Sequence, residues 1–122
     1  MFLNINKNIF VLNNTTTRDK NNYAMKLVFD WDLWNIQKNE IKHGISKLEA
    51  ESIFYDKDFL IFRDVIHSIR KELRYISYGV SIQNRILMCA FTIRNKKVRI
   101  ISCRTASKKE RGVYAREKNK GN

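Results

Sequence analysis

The chain of 122 residues is long enough for one domain, and its 43% hydrophobic content supports a modest globular core. The absence of proline argues against a linker-rich or fibrous protein. A formal net charge of +12 calls for an acidic partner: nucleic acid, an anionic membrane surface or an acidic protein. No apolar run approaches the ~20 residues that cross a bilayer. The start, "MFLNINKNIFVLNNTTT", has only the short apolar run Ile9 to Leu12, too weak for a signal peptide, so the expected location is the cytoplasm and no membrane partner is expected. Cys89 and Cys103 sit inside apolar β-type runs with no sign of secretion, and are expected as reduced core thiols. His43 and His67 lie far apart and no CxxC or HxxxH spacing occurs, so neither a metal site nor a cofactor is expected.

Residues 1–24 are rich in Asn and Thr and read as an N-terminal extension, with the working domain expected over 25–122. The alternative is a real extra strand using Ile9–Leu12. From Met25, "MKLVFDWD" reads as a first strand. Asp32 can cap a helix to about Lys42, and Gly44 suits the left-handed position after its end. Ser46 with Glu49 forms a capping box that opens a second helix to about Phe54. Two helices so closely linked invite comparison with a DNA-binding helix-turn-helix, but "SKLEAESIF" carries two glutamates that would repel phosphates.

Four β-type runs follow: "FLIFR" (59–63), "LRYISYGVS" (73–81), "RILMCAFTI" (85–93) and "KVRIISC" (97–103). In the second, Arg74, Ile76 and Tyr78 alternate with Leu73, Tyr75 and Ser77. "RNKK" fits a tight hairpin loop between the last two runs. Ser107 with Glu110 opens a final helix to about Lys118. The order β-α-α-β-β-β-β-α gives an α+β domain with an antiparallel sheet, an N-terminal αα-hairpin and a C-terminal helix.

The final quarter holds the charge. Eleven Lys and Arg lie between Arg94 and Lys120, opposed there only by Glu110 and Glu117, a net +9. RNA can be cleaved by its own 2′-hydroxyl attacking the adjacent phosphorus, and guanidinium groups suit the charge that grows on the phosphoryl oxygens. Arg74 lies within a strand, a rigid mount. Arg104 lies where the last strand meets the last helix, near that helix's positive end. Arg111 and Tyr114 are three apart on the helix, so a guanidinium and a phenol can address one point. Glu72, two residues before Arg74, can serve as a base or hold the arginine. Each has a plainer reading: Arg74 as a cross-strand ion pair, Tyr114 as a core anchor, His67 as a loop hydrogen-bonder, and Lys108, Lys109 and Lys118 as a solvated face. The residues alone reach a small basic RNA-binding domain with a nuclease as one outcome.

Six stretches together resemble the BrnT family of toxins: "FDWD" (29–32), "NEIKHGISKLEAESIF" (39–54), "DVIHS" (64–68), "ELRYISYG" (72–79), "RILMCAFTIR" (85–94) and "VRIISCRTASKKERGVY" (98–114). They keep the family's order and approximate spacing, and residues 1–24 fall outside them. Cys103 departs from a frequent alanine, and Lys57-Asp58 from a frequent Asp-Pro. The resemblance implies a RelE-like ribonuclease fold, cleavage of RNA that blocks translation, a BrnA-like DNA-binding antitoxin as partner, and repression of the operon at its operator DNA. Carried onto this chain, the implied functional positions are Arg74, Arg104, Arg111 and Tyr114. Apart from the resemblance, the residues themselves add Glu72 beside Arg74, and Arg99, Lys108 and Lys109 of the basic quarter as RNA contacts. Two other functions stay open: a non-catalytic nucleic-acid-binding or co-repressor subunit, and a domain whose basic surface docks an acidic protein.

Overall fold

The computed structural model describes residues 27–69 and 71–120; the expected extension, 1–24, and the boundary at Met25 lie outside them. Helix α1 (Leu33–His43) leads into α2 (Lys47–Ser52), whose last turn tightens into a 3₁₀ segment, Ile53–Tyr55. Four strands follow, β1 (Leu60–Arg63), β2 (Arg74–Val80), β3 (Ile86–Arg94) and β4 (Lys97–Thr105), and α3 (Lys108–Lys120) comes last. The strands pair in sequence order, each antiparallel to the next. This is the α+β arrangement expected from the element order.

Local chemistry sets the element ends. Asp32 Oδ1 accepts from Asn35 N at 2.7 Å and starts α1. Gly44, at φ 65°, ends α1 with its N–H on Glu40 O. Ser46 Oγ accepts from Glu49 N at 3.1 Å to start α2. Asn95 and Lys96 both take positive φ, forming the two-residue turn that twists with the β3–β4 hairpin.

Two expectations are corrected. "MKLVFDWD" does not build a strand within the described residues: it touches the sheet at one parallel bridge, Phe29 to Val98, with Asp30 N donating to Val98 O and Val98 N to Val28 O. It then leaves at once for the Asp32 cap, so the contact stays one bridge long. The cysteines are not separate thiols either. Cys89 and Cys103 stand opposite each other in the β3–β4 register, both fully buried, and are joined as a disulfide.

The pleat sends alternate residues to two faces. Tyr75, Leu87, Cys89, Phe91, Ile100 and Cys103 point inward against Ile45, Ala50, Ile53 and Phe54 of the α1–α2 hairpin and its 3₁₀ end. Gly79 makes one contact possible there, because a Cβ would meet Ile53 O at 2.8 Å and Ile53 Cβ at 2.9 Å. Gly79→Ala is therefore expected to lower stability by about 1–3 kcal/mol, the usual range for overpacking, as read by urea unfolding.

The register slips between Ala90 and Phe91, leaving Ile101 as an extra residue in β4. Side chains of α1 satisfy backbone groups around it: Lys38 Nζ donates to Ile101 O at 2.9 Å and Cys103 N donates to Asn39 Oδ1 at 3.1 Å. Glu49 does more than stand opposite Ser46 in the expected capping box. Its side chain is 1% exposed and grips Arg85, which donates from Nε at 2.7 Å and from Nη2 at 2.6 Å. Ser81 Oγ adds a third bond at 2.7 Å.

Candidate functional site

Among the described residues, α3 covers the opposite, outer face of the sheet at its Tyr78–Met88 end. Tyr114 is buried there with Tyr78 and Met88, and Val113 packs beside them. The register lays the rest of this face out in rows. Arg74 stands opposite Thr92, which stands opposite Arg99. The next row is Phe62, Ile76, Ala90 and Ser102, and the one after it Leu60, Tyr78, Met88 and Arg104. Four residues of β3, roughly 13 Å, separate the Arg74 row from the Arg104 row. Between them all four members of the middle row are half-buried, forming a shallow, mostly apolar floor that includes the aromatic ring of Phe62.

Asp64 extends the Arg74 row. Its N–H donates to Arg74 O at 2.8 Å, one step beyond the Arg63–Tyr75 pair. The return ladder bond is replaced by the Ser68 hydroxyl, which accepts from Arg74 N at 2.9 Å and donates to Asp64 O at 2.6 Å. Arg74 is half-buried, and its guanidinium has no carboxylate partner among the described residues.

The other expected site residues are placed as follows. Arg104 forms a bidentate pair with Glu110, Nη1 to Oε1 at 2.8 Å and Nη2 to Oε2 at 3.0 Å. Burial pushes the Glu110 carboxyl up, but the Arg104 bonds and those of Ser107 outweigh it and hold it below the usual range. The same hydrogen bonds strengthen the hold of Arg104 on its proton. Ser107 and Glu110 also complete the expected capping box. Glu72 does not hold Arg74. It lies in the turn before β2, bridged to Ile69, and meets Arg94 at 3.4 Å. Arg99 is engaged by Asp30 at 3.3 Å and Asp32 at 2.8 Å. Arg111 reaches back to Ala106 O at 2.8 Å, while Lys108 and Lys109 are exposed on the first turn of α3.

Tyr114 is committed to Asp56. It is 3% exposed, and its hydroxyl donates to Asp56 Oδ2 at 2.5 Å. Burial first, then the Asp56 bond, raise its ionisation well above the ordinary phenol range. Arg111 and Tyr114 thus do not address one point. Tyr114→Phe is expected to lower stability by about 1–3 kcal/mol, because the charged Asp56 Oδ2 loses one of its two donors and keeps only Val80 N at 2.8 Å, and to leave RNA cleavage within a few-fold. Thermal unfolding and cleavage assayed on the same preparation check both halves.

The basic quarter is also less free than its local count suggests. Carboxylates from distant segments reach it: Glu72 to Arg94, Asp30 and Asp32 to Arg99, and Asp58 to Lys118 at 3.9 Å. Among the described residues, Arg74, Lys108 and Lys109 are left without a carboxylate partner. Among the described residues there is no group of three or more His, Cys, Asp or Glu arranged to hold a metal ion, and no helix long and apolar enough to cross a membrane.

Comparison with known proteins gives a consistent outcome. Residues 31–110 match the family described as the ribonuclease toxin, BrnT, of type II toxin–antitoxin systems. That span holds Arg74, Arg99 and Arg104 and ends before Arg111 and Tyr114. The crystal structure of the Brucella abortus ribonuclease toxin, BrnT, solved at 1.1 Å, is similar over 68% of this chain and 100% of that one, with a TM-score of 0.50 and 22% identity. At that identity the likeness bears on the fold. No curated protein matches the chain. The ordered sequence stretches, the shared fold and the match over 31–110 agree, and the chain belongs to the BrnT family of ribonuclease toxins of type II toxin–antitoxin systems.

Proposed function

We propose that the chain is a metal-independent endoribonuclease that binds a single RNA strand across the outer face of its sheet, with Arg74 on the phosphate that is cut. The observation that carries this reading is the row arrangement: a guanidinium on a rigid strand with no carboxylate partner among the described residues, an apolar floor with Phe62, and a second guanidinium, Arg104, at the far side. A base can stack on an aromatic ring at such a floor while the flanking phosphates meet the arginines. Arg74 answers the charge that grows on the phosphoryl oxygens when the 2′-hydroxyl attacks. Arg104, fixed by Glu110, and Arg99, fixed by Asp30 and Asp32, each keep guanidinium edge for a neighbouring phosphate. Lys108, Lys109 and Arg111 add a positive field at the mouth of the face. Glu72 steadies Arg94, and Tyr114 anchors α3.

Membership of the family brings an antitoxin partner and an RNA substrate. In this reading cleavage blocks translation in the cytoplasm, the antitoxin covers or distorts the outer face, and the complex acts on operator DNA through the antitoxin. The working domain starts near Met25. The test is incubation of purified chain with RNA in EDTA, followed by mapping of new ends. New 2′,3′-cyclic phosphate ends are expected; strict dependence on Mg²⁺ contradicts the reading. Salt-sensitive binding without new ends would make the chain a non-catalytic binding subunit instead.

A further inference from the structure

Arg74 supplies charge to the site, but nothing described so far moves a proton. The loop joining β1 to β2 holds a group that can. Asp64 closes this loop with both carboxylate oxygens: Oδ1 accepts from His67 N at 3.3 Å, and Oδ2 stands 2.8 Å from His67 Nδ1. A carboxylate can only accept, so this contact puts the proton of a neutral ring on Nδ1. Nε2 is then an acceptor with no partner among the described residues. The two side chains differ in access in the useful sense, Asp64 being 15% exposed and His67 63% exposed. The loop is also bolted to the row it would serve, since Asp64 and Ser68 hold the backbone N–H and C=O of Arg74. Sequence reasoning placed His67 as a loop hydrogen-bonder, and it is one; the hydrogen bond is what orients the ring.

We infer that His67, oriented by Asp64, is the general base of the cleavage step at the Arg74 end of the outer face. This inference rests on the ribonuclease reading above. In the step, Nε2 takes the proton of the 2′-hydroxyl, the 2′-oxygen bonds to the adjacent phosphorus, and the bond from phosphorus to the 5′-oxygen breaks. The 5′-oxygen leaves with a proton from water, giving a 2′,3′-cyclic phosphate and a 5′-hydroxyl. The imidazolium returns its proton to solvent. Arg74, anchored to the same loop, faces the phosphoryl oxygens while this happens.

The experiment measures cleavage of an RNA oligonucleotide by wild type, His67→Ala and His67→Gln, each with and without added imidazole. His67 is exposed, so both variants should fold, and thermal unfolding confirms it. A general base contributes about 10²–10⁴-fold, so both variants should lose that much, Gln included although it keeps a bond to Asp64. Free imidazole should restore part of the rate to His67→Ala. Cleavage by His67→Ala within three-fold of wild type would overturn the inference and leave the ribonuclease reading standing. Loss without rescue would overturn it in favour of a positioning role. A wild type that does not cut RNA would overturn both.

Discussion

Arg85→Ala is expected to destabilise the fold by about 3 kcal/mol, the lower end of the cost of breaking a buried ion pair. The reason is what it leaves behind. Glu49 is 1% exposed and takes two of its three side-chain bonds from Arg85, so the variant strands a carboxylate in the core. Arg85 itself is 38% exposed, and solvent screening on its side keeps the expected loss at that lower end. The guanidinium also donates to Gly44 O at 3.0 Å, so the same change loosens the α1–α2 link.

The pH dependence follows from the sign of the shift. The Arg85 bonds outweigh burial and hold the Glu49 carboxyl below its ordinary range. A depressed carboxylate adds stability that is full above the unfolded value, about 4.3, and is lost as pH falls through the folded one. Without Arg85, burial is opposed only by the Ser81 bond, and the Glu49 carboxyl moves up from its depressed range. The stability gap between wild type and variant should then be widest near neutral pH and shrink below about pH 4. Urea unfolding at the two pH values reads it. A gap unchanged by acid would contradict the ion pair as the source.

A large effect on activity is expected at Arg74. Arg74→Ala should lower cleavage by about 10²–10³-fold, the usual cost of removing one group that stabilises developing charge. Thermal unfolding should hardly move, because no carboxylate among the described residues depends on that guanidinium. Arg74→Lys should recover only part, since an ammonium cannot grip two oxygens in a planar fork. Arg104→Ala gives a less clean answer. It also releases Glu110, which caps α3, so a lost activity there mixes a lost contact with a loosened helix. Activity in Arg74→Ala equal to wild type would move the phosphate elsewhere on the face.

What was legible in the sequence was local. The caps at Asp32, Ser46 and Ser107, the left-handed Gly44 and the Asn95–Lys96 turn depend on residues a few positions apart, and each formed where the pattern put it. The alternation in β2 likewise assigned Arg74, Ile76 and Tyr78 to one face. Partners far apart in sequence were not legible. The charge count of the last quarter could not include Asp30, Asp32 and Glu72, which fold back onto it. The partner of Glu49 was hidden too, because nothing in "SKLEAESIF" announces Arg85, 36 residues later. Tyr114 had a site reading and a core reading from the same helix, and only the position of Asp56 decides its direction. The Ser68 hydroxyl that ties the His67 loop to Arg74 has no signal beyond "DVIHS" itself.

The most direct test of the outer face as the RNA site is a backbone amide chemical-shift map, recorded with and without a 2′-O-methyl oligonucleotide that binds but cannot be cut. The largest changes are expected at Phe62, Arg74, Ile76, Ala90 and Ser102, with smaller ones at Arg104 and the first turn of α3. Changes confined to the α1–α2 hairpin, with the outer face silent, would contradict it.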